Sequence, residues 1–331
     1  MHIPDGFING ATSLGAGVVA VGGVGAALRS GGRSLEDRQI PMAGLSAAFI
    51  FVLQMLNFPV AAGTSGHLIG GALAVILLGP ALGITALAVV VVMQALLFAD
   101  GGISALGLNV FNMAILAGLA GWVVFRALMA VLPKRIPALL AASMVAAWAS
   151  VVVSSLGFVA QYSLGGRGLV DLDKVLSAMV GVHALIGIGE GIITATVIGA
   201  VMAVRPDVVR AARHYRIARS KEAAPSRKAM TLFTAVGLAA ALVLVVFVAP
   251  LASPDPDGLE RVAIDAGFNE SAEDSRVAGP LADYGLGGVA DDRIGTIAAG
   301  VIGLVVTFAA GLVLVSTTRR RRRPSDRVPL H

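Results

Sequence analysis

The sequence predicts an all-α integral membrane protein: a bundle of about seven helices followed by a two-helix hairpin carrying an external acidic domain. Three observations lead there. The 331 residues have a mean hydropathy of +0.85, with 56% hydrophobic and only 14% charged residues, whereas about a quarter of the residues in soluble domains are charged. Apolar runs near or above ~18 residues, the length that crosses a bilayer, recur along most of the chain. The charges sit in a few segments between those runs, so the net charge of +5 reflects orientation in a membrane and not affinity for nucleic acid. The 41 glycines suit tightly packed membrane helices. With no cysteine, any metal must be held by nitrogen and oxygen.

In order, the predicted spans are residues 11–28, 42–56, 68–79, 82–98, 106–128, 137–160, 178–203, 230–251 and 295–316. Residues 68–98 form one apolar block broken only at Gly79-Pro80, so its first part reads either as a short helix or as a re-entrant turn. Basic residues follow odd-numbered spans: Arg29, Arg33 and Arg38; Lys134 and Arg135; eight Lys and Arg within 204–229; and Arg319 through Arg323. Because Lys and Arg mark cytoplasmic ends, the N-terminus is expected outside and the C-terminus inside a bacterial or archaeal cell membrane. Residues 252–293 carry ten acidic residues against three arginines, a net of −7, and belong outside. This divides the chain into a membrane unit (1–205), a basic cytoplasmic linker (206–229), an accessory unit (230–318) with its external loop, and a basic tail (319–331).

The start of the chain carries chemistry. Met1-His2-Ile3-Pro4-Asp5-Gly6 lacks the positive charge and cleavage site of a leader peptide, and Met1 is expected to be the mature N-terminus. The α-amine, the deprotonated amide nitrogen of His2 and one His2 imidazole nitrogen can close two adjacent small rings on one metal ion. Three coplanar nitrogens favour Ni(II) or Cu(II) over tetrahedral Zn(II). On the topology above, His67 opens the third span on the same side as His2 and supplies the fourth corner.

Metal-bound histidines usually donate their other ring N–H to a carboxylate or carbonyl, a role for which Asp5, Asn57 and Asp100 are the candidates. Asn109 and Asn112, three apart and expected on one helix face, either support the metal loop or pack helices. His183 and Glu190 lie seven apart on one face of the seventh span. Intramembrane ionisable residues are functional hypotheses, so this pair reads as a second metal station, a partner contact, or two groups satisfied inside the bundle. His214 and His331 are expected to be idle. Nucleotide-binding and hydrolase motifs are not found.

Met1 through Gly6, His67, Gln94-Ala95-Leu96-Leu97-Phe98-Ala99-Asp100-Gly101-Gly102 and the stretch His183 to Glu190 resemble the NikM/CbiM family, over roughly residues 1–205. These are the substrate-binding membrane components of energy-coupling-factor transporters for nickel or cobalt. Pro256-Asp257-Gly258-Leu259-Glu260 with its flanking helices resembles the PDGLE-type accessory N component, so the chain looks like an M–N fusion. The resemblance implies Ni(II) or Co(II) as transported substrate without organic cofactor, held by Met1, His2 and His67. It also implies a transmembrane coupling subunit (T or Q) docking on small-residue faces such as Ala16/Ala20 and Gly22/Ala26, and two cytoplasmic ATPase subunits. The Pro4-Asp5 form of the N-terminal motif tilts the reading toward nickel. The competing classes are an intramembrane metal-dependent enzyme using His183 and Glu190, and a channel or ion-driven carrier, which would need more charged residues within its spans.

Overall fold

The computed structural model describes the chain except residues 34, 37, 62, 169, 216, 218–226, 274, 276–278 and 321–331. The linker cations Arg216, Arg219 and Lys221 and the tail cations Arg321, Arg322 and Arg323 therefore lie outside the described residues. The elements are α1 (Gly10–Arg33), α2 (Gln39–Gln54), the hairpin β1 (Phe58–Ala61) and β2 (Thr64–Gly66), α3 (Gly71–Leu78), α4 (Pro80–Leu97), α5 (Leu106–Asn109), α6 (Ala117–Val131), α7 (Ile136–Gly165), α8 (Leu172–Val204), α9 (Arg210–His214), α10 (Arg227–Val243), α11 (Gly258–Ala266) and α12 (Asp292–Arg320). A π-helical stretch, Val110–Leu116, joins α5 to α6.

Among the described residues, seven helices are long and apolar enough to cross a membrane, so the chain is a multi-pass helical membrane protein. Seven of the nine expected spans fall on these helices, and the second and third do not reach that length. Helix α2 has 16 residues, almost all buried. Helix α3 has eight, which at ~1.5 Å per residue reaches about 12 Å, well short of a ~30 Å hydrocarbon core. The β1–β2 hairpin and the buried loop bearing His67 precede it and hand the chain to α3 at Gly70 (φ 81). At the far end of α3, Gly79 (φ 85, ψ 163) turns the chain at once into α4, with Pro80 as the first residue of the new helix. Two separate helices meet there, because Gly79 supplies a backbone conformation that L residues rarely adopt and proline suits a helix start.

The innermost helices α2, α3 and α4 are apolar all round, as buried membrane helices must be. The outer ones expose single apolar stripes, with Leu14, Val18 and Val21 on α1, Leu185, Ile188 and Ile192 on α8, and Leu232 and Val236 on α10. The C-terminal hairpin does not stand apart. Helices α10 and α12 pack mainly on α2 rather than on each other, and α12 also touches α4 and α1. Close approach is possible because Gly44 and Gly311 face each other, and a methyl on Gly44 would meet the Phe308 carbonyl at 2.9 Å. One of the expected docking faces is also closed: Ala20 is buried within the chain, while Gly22 and Ala26 stay exposed.

Candidate metal centre

The N-terminal segment is threaded into the bundle and held by backbone pairing. Asn109 clamps Ile3 from both sides, its Oδ1 accepting from the Ile3 amide (2.8 Å) and its Nδ2 donating to the Ile3 carbonyl (3.0 Å). The Gly102 amide donates to the same carbonyl. Buried Asp5 accepts from the Ser104 amide (2.7 Å), the Ser104 hydroxyl (2.5 Å) and the Ile103 amide (3.2 Å). A side chain at Gly102 would lie 2.2 Å from the Asp5 amide nitrogen, and one at Gly6 (φ +92) 2.1 Å from the Ser271 carbonyl. Only glycine lets these strands close on one another.

These clamps bury the Met1 amine against two groups. It donates to His67 Nε2 at 2.5 Å and to Asp257 Oδ2 at 2.5 Å. The His67 Nδ1–H donates to the Leu68 carbonyl (3.0 Å), which leaves the Nε2 lone pair facing the amine. The His67 loop is itself pinned: Glu190 accepts from the amides of Ile69 (2.6 Å) and Gly70 (2.9 Å), and Gln54 donates to the Ile69 carbonyl. The His2 ring stacks on that of His67, centroids 5.1 Å apart. Its Nδ1 lies 3.0 Å from Asp100 Oδ1 and its Nε2 3.2 Å from Gln94 Oε1. The Tyr284 hydroxyl closes the circuit, donating to Asp100 Oδ2 (2.6 Å) and accepting from Gln94 Nε2 (3.1 Å). Ala99, Asp283 and Tyr284 all have positive φ, and such conformations concentrate at functional sites.

Of the three groups expected to accept a histidine N–H, Asp100 alone reaches one. Asp5 is committed to backbone amides of residues 103–104. Asn57 offers its backbone carbonyl to the Ser253 amide. Nor do Asn109 and Asn112 share a partner. Asn112 exchanges two amide hydrogen bonds with Gln161 on α7 (2.8 and 3.0 Å), because the wider π turn that begins at Val110 rotates it away from the N-terminal segment. His183 and Glu190 are likewise separated: the Glu190 carboxylate binds the His67 loop, while His183 donates from Nδ1 to the Met179 carbonyl (2.8 Å).

The residues that sequence reasoning missed come from the accessory segment. Asp257 caps α11 through Oδ1, accepting from the Leu259 and Glu260 amides (2.8 and 2.9 Å), and meets Met1 through Oδ2. Pro256 accepts from the Ser65 amide and Asp255 from the Ser65 hydroxyl. Gly258 presses on His183, its missing Cβ lying 3.2 Å from His183 Cε1. The motif Pro256-Asp257-Gly258 is thus the roof of the centre, and its proline-led turn and N-cap aspartate were the legible signs.

Burial pushes the Asp257 carboxyl up, but the Met1 ammonium and His67 outweigh it and hold it well below its ordinary value. Asp100 is likewise pushed up by burial and brought far down by His2 and Tyr284. Burial, reinforced by the ammonium, depresses His67 and so favours its neutral, ligating form. Burial and the Asp100 carboxylate raise Tyr284, which keeps its hydroxyl a donor. Among the described residues, no three His, Asp or Glu side chains are grouped to hold a metal.

Residues 2–208 match the family described as the cobalt uptake substrate-specific transmembrane region, and residues 231–320 match the PDGLE domain. The chain is 35% identical over 320 residues to the provisionally named fused nickel transport protein NikMN of Archaeoglobus fulgidus, covering 96% of this chain and 99% of that one. It is 37% identical over 125 residues to the fused nickel transport protein NikMN of Rhodobacter capsulatus, covering 38% of this chain and 36% of that one. A crystal structure titled as a transition metal transporter superposes with a TM-score of 0.56 at 28% identity, covering 66% of this chain and 99% of that one. The chain belongs to the cobalt uptake substrate-specific transmembrane family, in the fused form that carries a PDGLE domain.

Proposed function

We propose that this chain is the substrate-capture component of a nickel or cobalt importer, and that it holds the ion in a plane of four nitrogens: the Met1 amine, the His2 amide, a His2 imidazole nitrogen and His67 Nε2. The observation that carries this is the 2.5 Å approach of the buried Met1 amine to the lone pair of His67. Two nitrogens at neighbouring corners of a metal ~2.0 Å from each lie about 2.8 Å apart, so the pair needs only a small opening to admit the ion.

Binding displaces protons. Both ring nitrogens of His2 face acceptors, Nδ1 on Asp100 and Nε2 on Gln94, so the ring must give up the Nδ1 hydrogen and turn about its Cβ–Cγ bond to aim that nitrogen at the metal. At Met1 an ammonium gives way to a divalent ion on a deprotonated amide. Both carry a net single positive charge, so Asp257 faces the same charge before and after. Nickel is the favoured cargo, because the fused relatives above carry nickel in their names and a planar nitrogen set suits Ni(II). The relation to metal transporters, and the commitment of Glu190 to backbone amides, make this a transporter component rather than an enzyme.

In this reading residues 1–205 capture the ion, 230–318 roof it, 206–229 and 319–331 are the cytoplasmic linker and tail, and the metal centre faces outward. A coupling subunit docks on the open face of α1 at Gly22 and Ala26, and two ATPase subunits supply energy for delivery. The test is to block the amine. A full chain with a formylated or Gly-Ser-extended N-terminus should lose one-to-one Ni(II) binding although every side chain survives. Normal binding by the blocked chain would end the proposal.

A further inference from the structure

Beside the centre lies a small cavity bordered by Met1, His67, Ile69, His183, Ile186 and Gly258. His183 is 1% exposed. Its Nδ1–H is given to the Met179 carbonyl, so the lone pair is on Nε2, and among the described residues Nε2 is buried without a hydrogen-bond partner. Buried polar atoms are nearly always satisfied, and an exception asks for an explanation such as an ion. His67 is set in the same way, with Nδ1–H on a carbonyl and Nε2 presented. Two neutral imidazoles therefore line one small space, each fixed by a backbone carbonyl in the tautomer that ligates metal. The Asp257 carboxylate lies beside them, 3.5 Å from His67 Nε2, and keeps the region favourable for a cation. On the opposite side the pocket is walled by apolar residues, which supply no competing ligand.

We infer that His183 Nε2 and His67 Nε2 form a second station for the same Ni(II) or Co(II) ion, next to the capture plane and occupied when the Met1–His2 chelate releases it. His67 is the shared ligand, so the ion passes between stations without leaving nitrogen. This inference rests on the capture site proposed above. Borderline divalent ions are well served by imidazole, and loss of a chelate held by deprotonated backbone and amine nitrogen lowers affinity, which is what onward movement requires.

The experiment uses the full chain with its native N-terminus and His2→Ala, which removes the chelating imidazole. Titration with Ni(II) and with Co(II) should show one residual equivalent, bound at least a hundredfold more weakly than in the wild type. Adding His183→Asn, which retains an N–H for the Met179 carbonyl but no basic nitrogen, should weaken that residual binding at least tenfold further, and His183→Gln should do the same. X-ray absorption of the Ni(II)-loaded His2→Ala chain, which requires no change at position 183, should show two imidazoles on the metal. Residual binding indifferent to both substitutions, a single imidazole, or no residual binding would overturn the second station and leave the capture site standing. Undiminished tight binding by His2→Ala would overturn the capture site instead, and the relay with it.

Discussion

The Met1 amine and the Asp257 carboxylate meet at 2.5 Å although 256 positions separate them. The pair joins Met1, next to the region matched to the cobalt uptake family, to the PDGLE segment, in a place where both side chains are largely withdrawn from solvent. The accessory segment is therefore part of the centre it covers. Ser65, Met1, His67 and His183 each touch one of Asp255, Pro256, Asp257 or Gly258.

Breaking this pair leaves a buried ammonium without a counter-charge, and uncompensated buried charges cost about 3–5 kcal/mol. Asp257→Asn, which preserves the α11 cap, should lower the melting temperature of the metal-free chain markedly. Asp257→Ala should lose about 1 kcal/mol more, because the cap goes as well. If Asn and Ala melt like the wild type, the pair is solvated and the roof is loose.

Acidification tests the same groups. The folded-state pKa values of Asp257 and Asp100 are depressed, so their stabilisation is fully present above the ordinary carboxylate value of about 4 and is lost as pH falls through the lower folded values. The melting temperature of the metal-free chain should thus fall on acidification below about pH 4, and Asp257→Asn should flatten that fall. A rise in stability over the same range would contradict the sign.

Glu190 acts on the metal through the loop it holds. In Glu190→Gln a single carbonyl oxygen faces two amides, and one of Ile69 or Gly70 loses its acceptor. Nickel affinity should drop by about 10- to 100-fold, as it does when groups supporting metal ligands are removed, while far-ultraviolet circular dichroism stays unchanged. Unaltered affinity would show that the His67 loop keeps its place by other means.

Gly102→Ala places a methyl 2.2 Å from the Asp5 amide nitrogen and 2.4 Å from its carboxylate, atoms already fixed by hydrogen bonds. Overpacking of this kind costs about 1–3 kcal/mol, concentrated on the N-terminal segment. The variant should still assemble its helices but fail to form the one-to-one nickel complex, as read by the square-planar absorption band. Gly258→Ala, whose nearest neighbours are movable tips of Ile186 and Val182, should be tolerated better.

The sequence by itself determined the helical membrane class, the long spans to within a few residues and the break at Gly79-Pro80, and it nominated Met1, His2 and His67 as nitrogen donors, because apolar length, charge segregation and the chemistry of a terminal amine beside histidine are local properties. Tertiary structure decided which polar group meets which ligand. Asp100 reaches His2 while Asp5 turns to backbone amides. Asn112 leaves Asn109 through a π turn. Glu190 holds the His67 loop instead of pairing with His183, and α3 is too short to cross a bilayer. Above all, Asp257 and Tyr284 arrive from a segment that composition alone marks as a solvated acidic loop. A charge reads as surface in sequence, and only the fold shows that its partner is buried with it.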